Sequence, residues 1–223
     1  MISLVLSLAL FQATETLPQA STDEPAPAEA AAVAPATEAF DAEAALDGVN
    51  LYLNSIETLR ARFNQVAPDG SLARGHLVIA RPGRLRFDYD DPSPIRVIAD
   101  GTTIAIQDTA LETVDRVPLR STPLWWILKP EIDLAADANI VSVESEFGFL
   151  YVTLEDPDED VQGRIMFVFA EPNYELREWF VTDALGEVTR VSLADMETGI
   201  RVNPRNFVIP EPEDRRDSRR GRR

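Results

Sequence analysis

The chain has no cysteine and a single histidine, His76, in 223 residues. No disulfide framework, thiolate zinc site or cysteine nucleophile can be built from it, and no N-terminal cysteine is there to carry a lipid of its own. One histidine leaves little material for a Ser-His-Asp triad or a histidine metal cluster. Positive charge is scarce too: 21 Lys and Arg stand against 38 Asp and Glu, a net −17. That balance argues against nucleic acid as a partner, because phosphate binding needs a basic footprint. Long apolar runs are also missing. The ten residues Ile2–Phe11 fall short of the ~20 that cross a bilayer as a helix. Neither a glycine-rich phosphate loop nor a serine elbow is present. No metal, cofactor or catalytic residue is expected, and the chain does not read as an enzyme.

What is present is enough apolar content, 45%, for one domain with tails. Ile2–Phe11 has the length of a signal h-region, although no Lys or Arg precedes it, and residues 1–20 are expected to be a signal peptide. Residues 21–40 continue an Ala/Pro/Glu/Thr-rich stretch that lacks the apolar surface to fold and reads as an acidic linker. Residues 41–210 form the expected domain. Residues 211–223 read as a solvated arginine-rich tail. Within it, residues 215–223 carry six arginines and one aspartate, +5, so the preceding 214 residues carry −22.

Hydrophobic periodicity organises the domain. Leu46, Val49, Leu53 and Ile56 recur with helical spacing and predict one amphipathic helix. From Leu59 the period changes to two. Strands are predicted at 59–66, 72–80, 84–89, 95–99, 103–108, 112–118, 140–147, 149–155, 164–169, 175–182 and 187–194, with a short last one near 206–209. Turn signals separate them: Pro68-Asp69-Gly70, Pro82-Gly83, Pro92-Ser93-Pro94 and Asp100-Gly101. One helix interrupts the series. Ser121 or Thr122 offers its cap, Pro123 its first position and Leu124–Leu128 its body. The fold expected is mainly β: a single unclosed antiparallel β-barrel of about 11 strands, covered by short helices acting as a lid. Two helices cover only part of so large a curved sheet, so an apolar cavity is expected between them.

Arg81 stands out on parity. Leu77, Ile79 and Arg81 share one strand face, and an arginine on the apolar side of a sheet must find acceptors. It is a candidate latch, the alternative being a strand-end arginine that snorkels to water. Other constellations read as structural. Asp156-Pro157-Asp158-Glu159-Asp160 opens like a calcium loop, but Val161 and Phe167 stand where such a loop needs glycine and glutamate. It is expected to be a hairpin tip. His76 falls on the outer strand face, and Asp88, Asp90 and Asp91 read as turn residues.

Taken together, Leu59-x-x-x-Phe63-x-Gln65, Gly75-x-Leu77-x-Ile79-x-Arg81-Pro82-Gly83-x-x-Arg86-Phe87-x-Tyr89, Ile98-x-Asp100-Gly101-x-x-Ile104 and Thr122-Pro123 resemble the periplasmic outer-membrane lipoprotein carrier family (LolA-like) over roughly residues 42–210. The resemblance implies a periplasmic, non-enzymatic carrier chaperone that binds acyl chains of lipoproteins in an apolar cavity. It would receive acylated lipoproteins from an inner-membrane lipoprotein-releasing ABC transporter and pass them to an outer-membrane acceptor lipoprotein (LolB-like). It also implies that Arg81 tethers the lid through carbonyl acceptors. Phe63, Leu77, Ile79, Leu85, Phe87, Trp125, Trp126 and Ile127 are the expected acyl-binding residues, and the carrier is expected to act as a monomer. The missing basic n-region, the acidic linker and the arginine tail depart from the pattern. A non-enzymatic lipid- or protein-binding module of the same fold is the competing expectation.

Overall fold

A computed structural model describes residues 40–157 and 163–210. The predicted signal peptide, the linker up to residue 39, the tip of the acidic loop at 158–162 and the arginine-rich tail lie outside the described residues. Helix α1 spans Ala42–Ser55. Asp41 caps it, its Oδ1 accepting from the backbone N–H groups of Glu43 and Ala44 at 3.1 Å, which satisfies donors the first turn leaves free. Ala45, Val49 and Leu53 are its buried stripe, and Ile56 follows them as the C-cap.

The strands are β1 (Thr58–Val66), β2 (Leu72–Ala80), β3 (Arg84–Tyr89), β4 (Ile95–Asp100), β5 (Thr103–Asp108), β6 (Thr113–Pro118), β7 (Asn139–Glu146), β8 (Phe149–Glu155), β9 (Gly163–Ala170), β10 (Glu175–Asp183) and β11 (Val188–Thr198). They form one antiparallel sheet in the order β6-β5-β4-β3-β2-β1-β11-β10-β9-β8-β7. Two meanders thus meet at the β1–β11 pair, and β6 and β7 are left as unclosed edges. That topology dictates the lid. The chain leaves edge β6 and re-enters at edge β7, so residues 119–138 must cross from one border of the sheet to the other. This crossing holds a 3-10 turn (Leu119–Ser121), α2 (Trp125–Leu128) and α3 (Leu134–Asp137).

Strand alternation places one side of the sheet in the core. Leu59 faces Ile79 and Ala61 faces Leu77 across β1–β2, while Leu77 faces Phe87 and Ile79 faces Leu85 across β2–β3. Gly75 stands opposite Phe63, and a Cβ there would come within 2.1 Å of the Asp88 carbonyl oxygen and 2.6 Å of the Phe63 ring. Only a residue without a side chain lets that ring lie flat against the strand. Phe63 packs edge-on to Phe87 and Tyr89, with ring centroids 4.9 and 5.0 Å apart.

Three expectations are corrected. The short last strand near 206–209 is instead a 3-10 turn, Pro204–Phe207, set by Asn203, whose Oδ1 accepts from the Arg205 N–H at 3.0 Å. It lies against the outer face of β3 and β4. There Phe207 is 3% exposed and Ile98, on the same outer face as Arg86, is 1% exposed. Arg86 fastens this strap by donating to the Asn206 carbonyl at 3.0 Å. Thr122 does not cap α2: its hydroxyl donates back to the Leu119 carbonyl at 2.8 Å, and the helix starts two residues beyond Pro123. Asp88 is a strand residue, not a turn residue, and its carboxylate bridges Arg86 at 2.6 Å and Arg96 at 2.7 Å. His76 is exposed, as expected, with its Nε2 2.7 Å from Arg62 Nη1.

Candidate functional site: a latch over an apolar face

Arg81 is the first residue after β2. Its parity with Leu77 and Ile79 carries the side chain beneath the crossing segment, while its own N–H donates to the Glu57 carbonyl at 2.8 Å. The guanidinium then joins three parts of the chain. Nη1 donates to the carbonyls of Leu53 and, at 3.4 Å, Ile56 at the end of α1. Nε and Nη2 both donate to the Lys129 carbonyl, at 3.2 and 2.8 Å, and Nη2 also reaches Pro130 O and Asn54 Oδ1 at 3.2 Å. Four of these acceptors are main-chain carbonyls around the C-terminal ends of α1 and α2, where helices leave carbonyls unpaired and where α1 presents the negative end of its dipole. Every acceptor is neutral. Burial pulls the Arg81 guanidinium below its ordinary pKa, and among the described residues no carboxylate pairs with it.

Two asparagines extend the clasp. Asn54 Nδ2 donates to the Ile132 carbonyl at 2.8 Å and its Oδ1 accepts from the Ile132 N–H at 3.0 Å. Asn50 Oδ1 accepts from the Leu134 N–H at 3.1 Å. They sit four residues apart on one side of α1, facing the crossing segment. Gly83, with φ of 73°, donates its N–H to the Leu128 carbonyl at 2.7 Å. A Cβ there would stand 2.7 Å from the Gly101 backbone. Lys129 and Asp137 close the crossing segment on itself with an ion pair. None of these five contributors was among the predicted site residues. Gly83 was visible in a turn signal and in the Arg81-Pro82-Gly83 motif without a role of its own, and polar residues on an amphipathic helix read as its solvated side.

Beneath the latch, Phe63, Leu77, Ile79, Leu85 and Phe87 are buried side by side on β1, β2 and β3, and Trp126 and Ile127 are buried on α2. Trp125 differs. It is half-buried at the margin of the cluster, with the Arg120 guanidinium 4.9 Å above its ring. Between sheet and helices, these side chains belong with Leu128, Ile132 and Leu134 to one buried apolar cluster. The crossing segment thus covers an apolar face of the sheet. Two surface clefts flank residues 129–133: one of about 600 Å³ beside Asn50, Ile132 and Asp137, the other of about 480 Å³ beside Arg81, Arg84 and Glu57.

Comparison with known proteins bears on this arrangement. Residues 54–210 match the family model for outer membrane lipoprotein carrier protein LolA. The chain belongs to this family. The matched span contains every described strand, the crossing segment and Arg81, while most of α1, with Asn50 and Leu53, precedes it. The outer-membrane lipoprotein carrier protein of Methylococcus capsulatus is 29% identical over 170 residues, covering 72% of this chain and 81% of that protein. The corresponding protein of Chromobacterium violaceum is 27% identical over 193 residues, covering 82% and 92%. The crystal structure of a LolA superfamily protein from Nitrosomonas europaea aligns over 74% of this chain and 97% of its own, at 12% identity and a TM-score of 0.43.

Proposed function

We propose that this LolA-family chain is a periplasmic, non-enzymatic carrier that takes up the acyl chains of lipoproteins between its lid and its sheet. On this reading it accepts cargo from the inner-membrane ABC transporter and delivers it to an acceptor lipoprotein at the outer membrane. Residues 1–20 act as the export signal, 41–210 as the carrier domain, and the linker and the arginine tail as solvated ends. The observation that carries the reading is the Arg81 clasp, which ties the lid down through neutral carbonyls directly above a large apolar face.

The energetics fit a carrier. Each acyl methylene returned to water costs about 0.8 kcal/mol, so one long chain is worth on the order of 10 kcal/mol. A water-soluble vehicle must offset most of that and still release its load. Here the lid's own Trp126, Ile127 and Leu128 occupy the apolar face when no cargo is present. On this reading cargo displaces the lid's side chains, so the net gain on loading is the difference between two burials. The Arg81 hydrogen bonds bias that near-balance toward the closed form, and acyl chains reverse it by preferring the open one.

The test is saturable binding of a fluorescent fatty-acyl probe, competed by unlabelled acyl chain. Leu77 is 0% exposed, so a charged substitution there would report unfolding, and the half-buried Arg81 is the better target. Arg81→Leu should take up probe faster and retain acylated lipoprotein through purification. A chain that folds normally but shows no saturable uptake in either form would defeat the reading and favour a protein-binding module of the same fold.

A further inference from the structure

We propose that the cleft beside the latch receives a carboxylate from a partner protein, which draws the Arg81 guanidinium off the lid carbonyls and so opens the lid. The inference rests on the lid reading above and adds what releases the lid. Its first support is the set of acceptors. Arg81 is a half-buried cation held only by neutral oxygens. Hydrogen bonds to an ionised acceptor are roughly twice as strong as those to a neutral one, and an arginine fork matches a carboxylate with two parallel bonds. An oxyanion that reaches this group outcompetes the carbonyls that hold it.

The second support is access. The 480 Å³ cleft is bounded by Arg81 and, on the next strand, by Arg84, with Asn54, Glu57 and Pro130 completing its walls. Arg84 is half-buried, makes no ion pair among the described residues, and is held with its guanidinium 5.8 Å from the Phe207 ring centroid. Two arginines therefore line one cleft, Arg84 with no carboxylate partner among the described residues and Arg81 engaged with the lid. Glu57 on the same wall opposes a dianionic phosphate more than a singly charged carboxylate.

The test uses the full chain without cargo. Hydrogen exchange of the amides of residues 119–138 is followed while N-acetylglutamate amide, its glutamine analogue or inorganic phosphate is added at one ionic strength. The carboxylate should speed exchange of these amides about fivefold or more over the glutamine analogue, the lower range of a typical site-to-site coupling, and leave the sheet amides unchanged. Arg84→Gln should melt at the unaltered temperature and lose the response, and Arg84→Lys should keep part of it. Equal exchange with the carboxylate and its amide overturns the proposal, as does a response that survives in Arg84→Gln. Phosphate as the stronger effector would overturn the choice of a protein carboxylate in favour of a headgroup. Acyl-probe uptake is measured separately: saturable uptake without any carboxylate response sinks this inference alone, whereas absent uptake sinks the carrier reading.

Discussion

At the scale of single residues, Arg81 and Asp88 show how one kind of interaction serves two ends. Arg81 spends its donors on carbonyls of two segments, the end of α1 and residues 129–130, and Arg81→Leu should raise hydrogen exchange across 119–138 by tenfold or more, the loss of several net bonds of about 1 kcal/mol each. Arg81→Lys should recover only part of that protection, because a single ammonium cannot span acceptors at Leu53, Lys129 and Asn54 together. Asp88 works on the outer face. Burial pushes its carboxyl up, but hydrogen bonds and charge from Arg86 and Arg96 outweigh this and leave it below its ordinary value. A carboxyl lowered in the folded state stabilises the fold above its unfolded pKa of about 3.9, and that contribution disappears as pH falls through the lower folded value. Thermal melts between about pH 5 and pH 2 should therefore be flatter for Asp88→Asn than for the wild-type chain. At neutral pH the substitution should cost about 1 kcal/mol or less, since the groups are partly solvated. Gly75→Ala is expected to cost about 1–3 kcal/mol, read from denaturant melts, because the new Cβ meets backbone oxygen and the Phe63 ring at once.

At the scale of elements, the strands were legible and the pieces fastened to them were not. Leu72–Ala80, Arg84–Tyr89, Thr103–Asp108 and Phe149–Glu155 fall where alternation and turn residues predict, because a half-buried strand writes its two faces directly into sequence parity. The same parity put Arg81 on the lid side of the sheet. α3 and the 3-10 turn at Pro204–Phe207 span four residues each, too few for any period to register. Asn50 and Asn54 escaped notice because a polar residue on a helix has the same letter whether it meets water or a neighbouring backbone. Phe207 and Ile98 form an outer patch that alternation assigns to solvent, and only the returning chain buries it. Asn54→Ala should loosen the lid alone: it removes both bonds to Ile132 at about 1–2 kcal/mol, and exchange should rise in 129–134 while the sheet keeps its protection. Phe207→Ala should do the opposite, lowering the melting temperature through a loss of about 3 kcal/mol with no selective effect on the lid.

At the scale of the whole molecule, stability is unevenly spread by design of the topology. The β1–β11 pair joins the two meanders, while the crossing segment rests on a few hydrogen bonds, one ion pair and its apolar contacts. Local opening of the segment should therefore precede global unfolding by a clear margin in denaturant, a separation that native-state exchange would resolve. The crossing segment is also continuous with both free borders, β6 at one end and β7 at the other. It is stitched across the mouth like a drawstring and cannot swing away like a door. Raising it requires the two lips of the sheet to part, and parting them slackens it further. On the carrier reading, aperture and lid height become one variable, so the girth of the cargo would be set by how far an eleven-strand ribbon can uncurl.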